Sequence, residues 1–149
     1  MRRFFITLML AASLAAGADL PSCRSVATAL LGQLGEPGDA QQLGQIISTL
    51  NKTGDLPDDF VTKREARAAG WTPGRPMWGI TALRGKSIGG DRFGNHEGLL
   101  PTGNWREADL GYAGGKRNAK RLVYEPGKNG RRYVTLDHYQ HFTEAPPCR

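Results

Sequence analysis

Leu43, Ile46, Ile47 and Leu50 recur at spacings of three and four, the period of one apolar helix face. That pattern predicts a helix from a cap at Asp39 to about Asn51. Upstream, residues 19–39 hold Pro21, Gly32, Gly35, Pro37 and Gly38 and read as a loosely packed extension, with a short helix at Ala27–Leu34 inside it. Downstream, Leu56-Pro57-Asp58-Asp59 is a turn. Thr62-Lys63-Arg64-Glu65 has capping-box spacing and opens a second short helix, which Gly70 ends. Trp78 to Leu83 is a weaker helical turn. After Gly85 the pattern changes to short β-compatible runs between Gly, Asn and Pro turns: Ser87–Gly89, Trp105–Tyr112, Arg121–Tyr124, Arg132–Leu136 and His138–Thr143. Helices first and strands afterwards predict an α+β domain, with N-terminal helices packed on a C-terminal antiparallel sheet.

The first residues belong to another category. Arg2 and Arg3 precede the apolar run Phe4 to Ala16, and Ala16-Gly17-Ala18 offers the small residues of a cleavage site. This order predicts a signal peptide over residues 1–18, followed by the extension at 19–39 and one domain at 40–149. A lipoprotein acceptor at Cys23 is disfavoured by Pro21 and Asp19. The processed chain is expected to be secreted, to stay off membranes and to act as a monomer. Its two cysteines, Cys23 and Cys148, stand near the two ends of the processed chain, and an isolated pair in an exported protein most often forms a disulfide.

Charge sharpens the picture. The full chain carries a formal +6, but residues 19–60 hold two basic and six acidic residues, whereas residues 61–149 hold sixteen basic and eight acidic. Such an excess suits a polyanionic partner as well as a merely soluble basic surface. CxxC, HExxH and GxxxxGK[ST] are absent from the sequence, and His96, His138 and His141 are not at zinc-site spacing. Metal and nucleotide-triphosphate chemistries therefore lack their usual support, and no cofactor is expected.

Two segments remain. Glu107 and Asp109 fall on one face of a strand by the period of two, and Asp137-His138-Tyr139-Gln140-His141 starts the last predicted strand with a histidine. Between them Lys116, Arg117, Lys120 and Arg121 place four cations in six residues. A carboxylate, an imidazole and an arginine cluster on neighbouring strands suit phosphoryl transfer: one group takes a proton, one gives a proton, and cations stabilise charge on phosphorus. On pattern alone the simpler reading stays ahead, with Glu107 in a surface ion pair and His138 partly buried.

A resemblance adds to this. The blocks Leu56–Lys63, Ala68–Trp71, Gly85–Asp91, Trp105–Asp109, Arg117-Asn118 with Arg121–Tyr124, and Asp137–Thr143 resemble, in order, those of the barnase/binase-type bacterial guanyl-specific ribonucleases. They span residues 40–144; the extension and both cysteines lie outside the pattern. The resemblance implies the microbial ribonuclease fold and a metal-independent secreted endoribonuclease that cuts single-stranded RNA after guanosine through a 2′,3′-cyclic phosphate. It implies Glu107 as general base, His138 as general acid, and Lys63, Arg117 and Arg121 as cations around the phosphate. Phe93, Asn95, His96 and Glu97 match the guanine-binding loop, with Tyr139 stacking near the base. Asp91 and Asp109 match structural carboxylates, Asp109 orienting Arg117. The family usually has serine where Gly94 stands and arginine where His96 stands, and a histidine does not offer the same constant charge or fork. A small acidic barstar-like inhibitor is the implied protein partner. The alternatives are a non-catalytic basic RNA-binding protein, disfavoured by the presence of both Glu107 and His138, and an interbacterial toxin of the same fold.

Overall fold

The computed structural model describes residues 19–149, so the expected signal peptide lies outside the described residues. Three helices and six strands follow in chain order: α1 (Cys23–Gln33), α2 (Ala40–Thr53), β1 (Phe60–Val61), α3 (Lys63–Ala68), β2 (Ser87–Phe93), β3 (Trp105–Asp109), β4 (Arg121–Tyr124), β5 (Arg132–Thr135) and β6 (Thr143–Ala145). The strands form one sheet in the order β1-β2-β3-β4-β5-β6. Helices on the N-terminal side and a mostly antiparallel sheet make the expected α+β architecture. The β1–β2 pair is parallel, because the connection through α3 is long enough to carry the chain back to the same edge.

α2 is the predicted helix, moved by one or two residues. Leu43, Ile46, Ile47 and Leu50 are all buried, and Gly54 closes the helix with φ 83°. Asp39 does not cap it with its side chain. Its carboxylate instead pairs with Lys120 at 2.5 Å, tying the start of α2 to the loop before β4.

The extension is not loosely packed. α1 starts at Cys23, capped by the Ser22 hydroxyl, which accepts from the amide of Ser25 at 3.1 Å. Val26, Ala27, Leu30 and Leu31 enter the same core as α2 and the sheet residues Ala108, Leu122 and Val134. Gly44 makes this close approach feasible, since a Cβ there would stand 3.0 Å from the Arg24 Cα. Cys23 and Cys148 are joined in a disulfide, and the flanking segments exchange amide-to-carbonyl bonds: Cys23 to Arg149 at 3.0 Å and Arg149 to Pro21 at 2.9 Å.

Cross-strand register sorts the side chains onto two faces. Ala108, Leu122 and Val134 pair across β3, β4 and β5 and face the helices. The alternate set, Glu107 with Val123 and Tyr133 and Asp109 with Arg121 and Thr135, faces the other way. A smaller cluster of Trp105, Val123 and Leu100 lies on that second face. Between Gly89 and Asp91 the register slips at Gly90, whose φ of 100° suits only glycine, and β2 bends there.

Candidate active site

Glu107 is the centre of the second face. It is 7% exposed, its Oε2 accepts from the Tyr139 hydroxyl at 2.8 Å, and its Oε1 lies 3.8 Å from the Lys63 Nζ. Lys63 is delivered by the first turn of α3. Thr62 caps that helix by accepting from the Glu65 amide at 3.2 Å, and Asp91 on β2 accepts from the Lys63 amide at 3.0 Å. Asp91 thus fixes the helix end that carries the cation.

Asp109, two residues along β3, is buried to 1% exposure among arginines. Arg117 donates to it from Nε and Nη2, both at 2.7 Å, a two-pronged pairing that holds the guanidinium plane. That hydrogen bond is also the main reason the Arg117 pKa rises, with burial acting against it. Arg121 Nε stands 3.1 Å from the same carboxylate without hydrogen-bond alignment, and the Arg121 Nη1 donates to the carbonyls of Asn118 and Lys120, both at 2.7 Å. Asn118 is held in turn, donating to the Leu110 carbonyl at 2.7 Å.

His138 departs from expectation. It lies in the loop between β5 and β6, not in a strand, and β6 begins only at Thr143. His138 and Tyr139 have φ of 55° and 72°, a left-handed pair that no strand accommodates. Asp137 holds this bend: its Oδ1 accepts from the amides of Gln140 and His141 and from the Thr135 hydroxyl, at 3.1, 3.0 and 3.0 Å. The Tyr139 amide donates to Thr135 Oγ1 at 3.0 Å and the His138 amide to the Ala119 carbonyl at 3.0 Å. The result is an exposed imidazole 4.7 Å, centroid to centroid, from the Tyr139 ring.

Tyr139 therefore joins the two halves of the site. Its ring stacks on Phe93 at 5.0 Å while its hydroxyl reaches Glu107. Burial is the first cause of its raised pKa, reinforced by the Glu107 charge, so it stays a hydrogen-bond donor at ordinary pH. Phe93, Asn95, His96, Glu97, His138 and Tyr139 share a cavity of about 280 Å³. Asn95 clamps the loop, donating to the Leu100 carbonyl at 2.9 Å and accepting from the Leu100 amide at 3.1 Å. His96 and Glu97 are exposed on its rim.

The structure brings Glu107, Lys63, Tyr139 and His138 together, sets Arg117 and Arg121 beside them through Asp109, and joins the Phe93–Glu97 loop to them through Tyr139. Sequence reasoning missed Asp137, Thr135 and Asn118 as the residues that hold the loops. The signal was present for Asp137 and Asn118, whose side chains readily bond amides or carbonyls nearby in the chain. Among the described residues, no group of three or more His, Cys, Asp or Glu converges at metal-binding distance.

A ribonuclease family profile matches residues 45–146. Over 91 residues the chain is 48% identical to a ribonuclease of Bacillus intermedius, covering 59% of this chain and 54% of that protein. The ribonuclease of Heyndrickxia coagulans is 48% identical over 90 residues, covering 58% of this chain and 80% of that protein. An antiparallel sheet with N-terminal helices and this profile define a microbial ribonuclease. The chain belongs to that family, and within it to the barnase/binase type. It spans about half the length of the Bacillus relatives it matches.

Proposed function

We propose that this chain is an exported endoribonuclease that cuts single-stranded RNA on the 3′ side of guanosine. The observation that carries the reading is the buried Glu107 carboxylate, next to Lys63 and on the same sheet face as the Asp109–Arg117–Arg121 cluster, with exposed His138 alongside. Glu107 takes the proton of the ribose 2′-hydroxyl, whose oxygen then bonds to phosphorus. The bond from phosphorus to the 5′-oxygen breaks, and protonated His138 supplies the proton to that leaving oxygen. A 2′,3′-cyclic phosphate results. Its hydrolysis runs with the roles exchanged, His138 taking a proton from water and Glu107 returning one to the 2′-oxygen. Lys63, Arg117 and Arg121 stabilise charge on the phosphoryl oxygens.

The cavity between Phe93 and Tyr139 is the base site in this reading, and the Glu97 carboxylate meets the adjacent N1–H and N2–H donors of guanine. DNA lacks the nucleophile and is not cut. No described helix is long and apolar enough to cross a membrane, and the disulfide supports an oxidising compartment outside the cytoplasm. A small acidic inhibitor is the protein partner that fits the basic site.

The test is a short RNA with one guanosine, incubated with the processed protein in EDTA. A single cut and an early cyclic-phosphate product are expected. His138→Ala is expected to slow cleavage by about 10²–10⁴-fold. Loss of all activity on chelation, or a His138→Ala variant as fast as the parent, overturns the scheme.

A further inference from the structure

Along the β5–β6 edge of the sheet, lined by none of the residues of the candidate active site, a cleft of about 650 Å³ opens between α2, the turn joining β4 to β5, and the segment after β6. Five cations line it: Lys52, Lys128, Arg131, Arg132 and Arg149; the one side-chain carboxylate among its lining residues is Glu144. Arg131 is already matched, pairing with Glu125 at 2.6 Å. For the other four, no carboxylate stands within ion-pair distance among the described residues.

Arg132 is the informative member. Its register partner is Tyr124, which puts it on the helix side of β5, and it is only 4% exposed. Its guanidinium donates to the carbonyls of Glu125 and Gly127 and, at 3.4 Å, to Asn51 Oδ1, while Nε has no partner. Arginine does not escape this by losing its proton. A buried charge without a counter-charge is unfavourable. Here it sits at the wall of a cleft whose rim, at Lys52 and Lys128, is exposed and equally basic.

We propose that this cleft is a second anion site, separate from the cleavage site, that takes the phosphate groups of a nucleic-acid strand or a free phosphate. Its volume is that of a small-ligand pocket, larger than one phosphate needs. Pro146 and Pro147 give one wall apolar surface, against which a sugar or base would rest. The two sources share the same oxyanion chemistry and differ in how many charges they engage at once.

The experiment is an amide NMR titration of the processed chain with inorganic phosphate and, separately, with a single-stranded 2′-deoxy oligonucleotide, which lacks the 2′-hydroxyl. Expected are saturable shifts at Lys52, Lys128, Gly130 and Arg132, distinct from any at Glu107 and His138. Saturation by phosphate with no tighter binding of the oligonucleotide assigns the site to free phosphate; tighter oligonucleotide binding assigns it to a strand. In the second case the Lys52→Ala/Lys128→Ala double variant should lower the slope of log affinity against log salt by about 1.4, two phosphates' worth at about 0.7 each. Arg132→Gln should abolish the cleft shifts, with its fold checked by the dispersion of the remaining amides. Cleavage of RNA should be unchanged in the lysine double variant. Absence of cleft shifts with both probes overturns the proposal, as does an unaltered titration in both variants, whatever the outcome of the cleavage test.

Discussion

At the scale of single residues, Gly94 and His96 are one feature rather than two. A Cβ on Gly94 would lie 2.3 Å from the His96 Nε2, so the imidazole occupies the space a side chain at 94 would need. The ring is a flexible terminus and can swing away, so Gly94→Ala should cost little stability and instead move His96 off the base cavity. The expected outcome is a double-mutant cycle that fails to add. Gly94→Ala and His96→Ala should each alter the ratio of cleavage after guanosine to cleavage after adenosine, and the double variant should match His96→Ala alone, with coupling of about 0.5–3 kcal/mol. Strictly additive ratios would mean that Gly94 does not act through the His96 ring. The substitution at 96 was legible in the sequence; its dependence on 94 was not, because it is a contact between side chain and backbone across a bend.

Asp137 belongs to the same scale. Its pKa is lowered to about 2, first by the hydrogen bond with His141, whose Nδ1 is 2.6 Å away, and then by the His141 amide. A carboxylate depressed in the folded state adds stability that is complete above its ordinary pKa and lost as pH falls through the folded value. For Asp137 that window runs from the ordinary value of 3.8 down to about 2. Asp137→Ala should flatten this part of the unfolding profile, measured by denaturant titration across that range. At pH 7 it should lower kcat more than it raises KM, because it releases the left-handed bend that presents His138 rather than the base site. Equal kcat in the two proteins would mean that Thr135 and the Ala119 carbonyl hold the bend unaided.

At the scale of elements, β3 organises the site. Alternation along one strand delivers Glu107 and Asp109 to one face and Ala108 to the helices, and this much follows from the period of two. α2 was equally legible, since a 3–4 apolar spacing has few other outcomes. The last strand was not. Residues 138–143 have β-compatible composition, but Asp137 captures the amides of Gln140 and His141 and takes the chain out of the ladder until Thr143. β1 also escaped notice, because a two-residue strand has no period to read. The arginine cluster shows what β3 bears in energy. Asp109→Ala leaves Arg121, 3% exposed, without its nearest counter-charge, and should cost about 3–5 kcal/mol of unfolding free energy. Arg117 is less buried and should simply swing free. Thermal or urea unfolding measures this, and a cost below about 1 kcal/mol would show that the carbonyls of Asn118 and Lys120 suffice to hold Arg121.

At the scale of the whole molecule, the segment before residue 39 looked like a loose extension because its glycines and prolines dominate the composition. The 3–4 spacing of Ala27, Leu30, Leu31 and Leu34 was there to be read, but only the fold shows the groove it fills, between α2 and the chain's last residues. The disulfide closes a separation of 125 residues, and in the chain-entropy picture such a link destabilises the unfolded state by about 4–5 kcal/mol. Reduction should therefore lower the unfolding midpoint substantially and lower it most for α1, whose amide hydrogens should exchange well before those of β3 and β4. The proposed cleavage site is on the other face of the sheet, held by Asp91, Asp109 and Asp137 rather than by the bridge. RNA cleavage at 25 °C should thus survive reduction while the protein remains folded. Leu31→Ala, at 0% exposure, should cost a further 2–5 kcal/mol. In the Cys23→Ser/Cys148→Ser background that addition should bring a domain of ordinary stability close to unfolding. Circular dichroism and cleavage followed on the same samples separate the two effects. Cleavage lost on reduction while the circular dichroism spectrum is unchanged would mean that α1 shapes the site through the sheet, and the independence of the two faces would have to be abandoned.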